Sequence, residues 1–196
     1  MDLAAYFEKG ITYTEYMTAF GHAVAAKRTS GPIQTEEMAR YTELNFRRAG
    51  RIYKHTALLP GWLDTLRGPG RKLHAVCLTE FWCGDAAQNL PVVELGAVHG
   101  TRLSVRYLFR DENPELMDRY LTLGGRSIPL YILLDADSGK EAARWGPRPV
   151  AAQELLLGLK AEQKTKEDMM EAMQHWYHRD KTLSLQNEWN TLLSNI

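Results

Sequence analysis

The part of the chain that most restricts its fold runs from about residue 72 to 160, where short apolar runs and helical patterns alternate. Leu73-His74-Ala75-Val76-Cys77-Leu78-Thr79 has the character of a buried strand. It leads directly into a helical pattern over Asp85 to Val98, whose core positions are Leu90, Val92, Val93, Leu95 and Val98, with Pro91 expected to kink it. Leu103 to Phe109 alternates as a second strand. In Asp111-Glu112-Asn113-Pro114, Asn113 is a candidate cap and Pro114 a first helical residue, which predicts a helix to about Leu123, ended by Gly124-Gly125. Leu130 to Leu134 reads as a third strand, Asp135 to Gly139 as a hairpin turn and Glu141 to Trp145 as a fourth strand. Strand, helix, strand, helix, strand, turn, strand, helix is the order of an α/β domain.

Helical segments flank this region. Tyr13, Tyr16, Met17, Phe20 and Val24 form one apolar stripe over Thr12 to Ala26, and Gly31-Pro32 interrupts it. Thr35-Glu36-Glu37-Met38 starts a second helix that carries Met38, Tyr41 and Leu44. Pro60-Gly61 and Gly68-Pro69-Gly70 mark the boundary before the strands, and Gly68 to Lys72 lacks the Gly-Lys-Ser/Thr ending of a phosphate loop. From Ala151 to Ile196 the pattern is helical again, with an almost wholly polar stretch from Lys160 to Asp168. These shifts divide the chain into an N-terminal helical extension (1–69), a central domain (70–160) and a C-terminal helical extension (161–196), expected to form one unit.

Lys and Arg total 24, as do Asp and Glu, so no net field draws the protein to nucleic acid or an anionic membrane. No apolar run approaches the roughly 18 residues of a membrane span, and the N-terminus lacks a secretory pattern. Two cysteines, Cys77 and Cys83, are too few for a disulfide scaffold. The expectation is a cytoplasmic protein. His175 and His178 are one helical turn apart without a third ligand at a legible spacing, so no metal is expected.

Between the first strand and its helix stands Phe81-Trp82-Cys83-Gly84-Asp85-Ala86; Arg126-Ser127-Ile128-Pro129 precedes the third strand, and Trp145-Gly146-Pro147-Arg148-Pro149 follows the fourth. With these residues in place, residues 70 to 160 resemble the thioredoxin fold. The likeness is to bacterial thioredoxin-like proteins with an N-terminal helical extension, a Trp-Cys-Pro-Asp-Cys type of motif and a Trp-Gly-x-Arg-Pro sequence after the last strand. It implies a central mixed four-stranded sheet flanked by helices. It further implies that Pro129 is cis and faces Cys83, so that Ile128 and Pro129 form a substrate edge beside Trp82, Gly84 and Asp85.

Two departures weigh against ordinary dithiol turnover. Ala86 stands where the family has its second cysteine, so a mixed disulfide has no internal thiol to resolve it there. Cys77 stands where thioredoxins carry a buried acid. A helix N-terminus stabilises a thiolate and draws the Cys83 pKa below the free value of about 8.5, whereas Asp85 opposes that shift. Cys77 is expected to be a buried filler and not a partner of Cys83. Arg126, Arg144 and Arg148 read as scattered surface charge more than as a basic rim for glutathione. Two functions follow. In one, Cys83 makes single-thiol exchange with a protein or low-molecular-weight thiol, needs no bound cofactor, and uses glutathione as co-substrate to resolve the adduct. In the other, the chain is a non-catalytic binding or dimerisation module that docks through Trp176 and Tyr177.

Overall fold

The strands expected from alternation form one sheet in the computed structural model, which describes residues 2–196. Strand β1 (Leu73–Thr79) lies at the centre, parallel to β2 (Leu103–Phe109) on one side and antiparallel to β3 (Leu130–Asp135) on the other; β4 (Glu141–Trp145) pairs antiparallel with β3. The order β2-β1-β3-β4 is therefore mixed, as expected. Cys77 sits opposite Tyr107 and Tyr131 in the register and is fully buried, which is why a near-continuous apolar run occupies β1. The thioredoxin-like α/β architecture follows from this sheet and the helices on both its faces.

Local signals set most helix boundaries. Asp2 caps a short helix α1 (Leu3–Lys9) that the spacing does not announce. Helix α2 (Tyr13–Ala25) opens with a reciprocal capping box between Thr12 and Glu15, and α3 (Glu36–His55) opens where Thr35 accepts the Met38 N–H. Pro60, read above as a boundary, is the first residue of α4 (Pro60–Arg67). Helix α5 (Gly84–His99) runs through Pro91 without ending, its middle buried against the sheet. One core takes Phe7, Tyr16 and Phe20 from the N-terminal helices, the sheet residues, and Leu185, Trp189 and Leu193 from the last helix. Trp189 packs edge-on to Tyr131, with ring centroids 5.1 Å apart.

Two expectations fail for physical reasons. The helix predicted to reach Leu123 is one turn, α6 (Pro114–Met117). Leu116 and Met117 are buried, but Leu121 and Leu123 are exposed, so a longer helix has nothing to cover; a tight Thr122–Gly125 turn replaces it. Asn113 does not cap it: its side chain accepts from Lys9 Nζ and donates to the Phe109 carbonyl. The C-terminal region is three helices, α7 (Val150–Ala161), α8 (Lys166–Asp180) and α9 (Leu183–Ser194). The polar stretch supplies the first break, with Gln163 at positive φ and Thr165 capping α8; Lys181 and Thr182, both at positive φ, supply the second.

Glu80, between β1 and the site, has no exposed surface; Oε1 accepts the Asp111 N–H at 2.9 Å, and Oε2 has no partner. Burial raises its carboxyl above the usual range. The folded chain then keeps this proton to higher pH than the unfolded chain, so the contribution to stability is complete below about pH 4.3 and is lost as pH rises through the folded value. Glu94 shares that direction, also through burial. Glu80→Gln is expected to raise stability by about 1 kcal/mol at pH 8 and to leave it unchanged at pH 4, read from urea unfolding at both. An equal shift at the two pH values would show that ionisation is not the cost.

Candidate functional site

The turn from β1 into α5 makes Cys83 the cap of α5: the Ala86 N–H donates to Sγ at 3.4 Å. The thiol in turn donates to the Ile128 carbonyl at 3.2 Å. Cys83 is 7% exposed, and this burial dominates the helix-end effect. The thiol pKa is pushed up to about 12, first by desolvation and then by the charge of Asp85, against the smaller opposing pull of the Ala86 N–H. The helix N-terminus therefore does not set the direction, and Asp85 opposes it as the sequence suggested. The peptide dipoles act through a dry environment in which the charged form loses more hydration than they restore. Both cysteines are free thiols.

Asp85 is held from the C-terminal region. Arg148, beyond β4, grips its Oδ2 through Nη2 at 2.6 Å and Nε at 3.0 Å, and the Tyr177 hydroxyl of α8 donates to Oδ1 at 2.6 Å. Asn89 of α5 donates to the same hydroxyl at 3.3 Å, and Gln88 Nε2 donates to Gln174 of α8 at 3.2 Å. Helix α8 is thereby tied across the start of α5. Tyr177, considered above for docking to another molecule, is turned inward onto Asp85.

Ile128-Pro129 is a cis peptide and lies beside Cys83. Ile128 is buried and its carbonyl is already taken by the thiol, so part of the edge that the family resemblance implies for a substrate chain is occupied within the protein. Trp82 is partly buried, with the Arg110 guanidinium 4.8 Å above its ring. Gly146 backs Pro129: it has φ +128°, and a Cβ there would fall 2.2 Å from the Pro129 oxygen.

Above these residues, α3, α8 and the site turn enclose a cavity of about 570 Å³. Cys83, Trp82, Gly84, Asp85 and Ile128 line it, whereas Pro129 and Arg144 do not. Arg126 lines it but pairs bidentately with Asp118. Sequence reading missed the contribution of α3. Asn45 donates to the Phe81 carbonyl at 3.0 Å and accepts from Arg48 Nη1 at 2.7 Å, which places Arg48 over Gly84. The signal was present: Met38, Tyr41, Asn45 and Arg48 follow helical spacing, with an arginine on the stripe of the apolar face. Met169, Met170 and Met173 of α8 complete the wall.

Among the described residues no group of three or more His, Cys, Asp or Glu is arranged to hold a metal ion, and no helix is long and apolar enough to cross a membrane. Comparison with curated proteins finds no match. Two solved structures are similar in fold over 100% of this chain: an HIV epitope-scaffold, covered to 99%, and a protein of unknown function from Pseudomonas aeruginosa, covered to 98%. Each has a TM-score of 0.66 at 15% sequence identity. A family model described as thioredoxin matches residues 31–166, which takes in α3, the Cys83 turn, the whole sheet and α7. The chain therefore belongs to the thioredoxin family.

Proposed function

We propose that this chain is a thioredoxin-fold binding protein in which Cys83 is a protonated wall of a ligand cavity and not a turnover nucleophile. The observation that carries this reading is the state of the thiol: buried, hydrogen-bonded to Ile128 and with its pKa raised to about 12. A pKa so raised leaves the thiol protonated at pH 7. Ala86 removes the resolving position, and the cavity supplies a place for a ligand. The two unlinked thiols are consistent with a reducing compartment such as the cytoplasm.

The Ala86 N–H on Sγ favours a second reading, single-thiol exchange. There the Cys83 thiolate attacks glutathione disulfide, the new sulfur–sulfur bond forms as the old one breaks, and the departing glutathione thiolate takes the proton that Cys83 gave up. Iodoacetamide labelling from pH 6 to 11 separates the two. The binding reading expects a Cys83 midpoint above pH 10 and no adduct with glutathione disulfide at pH 7.5. A midpoint at or below about 8.5, with an adduct that Cys83→Ala abolishes, would overturn it in favour of exchange.

A further inference from the structure

Four of the seven methionines, Met38, Met169, Met170 and Met173, wall the cavity above Cys83 from two facing helices. Unbranched thioether side chains re-pack around ligands of variable shape, and their concentration here points to an apolar occupant. Charge narrows the choice. Five cations line the same space, and four already have a carboxylate: Arg110 with Asp111, Arg126 with Asp118, Arg148 with Asp85 and Lys166 with Glu37. Arg48 alone, among the described residues lining it, pairs with no carboxylate, although it is half-buried and held in place through Asn45. Burial and the neighbouring Arg51 lower its pKa, whereas Asp85, which acts favourably on it, is committed to Arg148 and Tyr177. A half-desolvated guanidinium without a counter-ion is a costly feature. The other carboxylate of the wall, Glu171, has a side chain 75% exposed, contacts His175 at 3.6 Å and makes no ion pair with Arg48.

We propose that the cavity binds a single-chain amphiphile, its carboxylate head on Arg48 and its apolar tail between α3 and α8 along the methionines. This inference rests on the binding reading above and names its ligand class. One unpaired guanidinium matches one negative charge and offers a planar fork to a carboxylate, whereas a phosphate monoester would bring close to two charges. An extended peptide is disfavoured because the Ile128 carbonyl is already taken by the Cys83 thiol.

The test is calorimetric titration of the full chain with laurate, the neutral ester of laurate with tetraethylene glycol, and dodecyltrimethylammonium, all below their micellar concentrations. Laurate is expected to bind with Kd on the order of 10 µM, and the ester and the cation at least about tenfold more weakly. Arg48→Met should weaken laurate at least about tenfold and leave the ester unchanged, while Arg48→Lys should retain part of the laurate affinity. Equal affinity for laurate and its ester, an unchanged Arg48→Met variant, or no laurate binding at 1 mM would each overturn the proposal. The ligand comparison on the unaltered chain stands even if a variant fails to fold. Labelling Cys83 in the same preparation separates the two levels. An unreactive thiol with no laurate binding defeats this inference alone; a thiol of ordinary reactivity defeats the reading beneath it.

Discussion

Gly146→Ala is expected to lower folding stability by about 4 kcal/mol, measured by urea unfolding followed through tryptophan fluorescence. Two effects combine. The residue has φ +128°, where a side chain is strained, and its Cβ would lie 2.2 Å from the Pro129 oxygen, 3.2 Å from the Pro129 carbonyl carbon and 3.3 Å from the Leu130 Cα. These are backbone atoms at the start of β3, so the collision cannot be relieved by turning a flexible side chain. Gly124→Ala is the control. It too has a positive φ, +78°, but nothing lies within 4 Å of the added Cβ, so its cost should stay near about 1 kcal/mol. Similar costs for the two would show that the approach of Gly146 to Pro129 is soft.

Arg148→Met should remove about 3 kcal/mol, because it leaves the Asp85 carboxylate, whose side chain is 18% exposed, without its cation. Methionine preserves much of the stem volume, so the loss reports charge more than packing. The change also acts on the thiol. Arg148 favours the Cys83 thiolate and Asp85 opposes it, so Arg148→Met should raise the labelling midpoint of Cys83 and Asp85→Asn should lower it. Combining the two substitutions should recover part of the stability lost by Arg148→Met alone, since no unpaired carboxylate remains. Strictly additive losses, with midpoints that do not move in opposite directions, would show that the pair is not coupled to the thiol.

The sheet was legible because strand signals are local: a buried central strand must be apolar on both faces, as Leu73–Thr79 is, and a hairpin needs a turn such as Asp135 to Gly139. The apolar stripe of α2 and the acids that follow Thr35 at the start of α3 are local in the same way, and the structure adds that Thr12 and Thr35 cap these helices. The residues flanking Cys83 and the Ile128-Pro129 pair came together as the family resemblance implied. The failures were of another kind. The stretch after Pro114 has helical residues but no surface to bury them against, and the polar run before α8 gave no indication that α8 would fold back over the site.

Sequence alone determined that the chain is an α/β protein with a cysteine, Cys83, ahead of a helix, no second cysteine three residues on, and an alanine in its place. Those facts depend only on residue identity and short-range spacing. Tertiary structure decided the rest: the burial of that thiol, the commitment of Asp85 to Arg148 and Tyr177, and the placing of Arg48 by Asn45. The reason is physical. A helix end stabilises a thiolate through bonds that spacing reveals, but desolvation depends on chain brought from far away in sequence, and Tyr177 meets Asp85 across 92 residues. The periodicity of α3 and α8 shows that each has an apolar face; only their packing shows that the two faces enclose a cavity above Cys83.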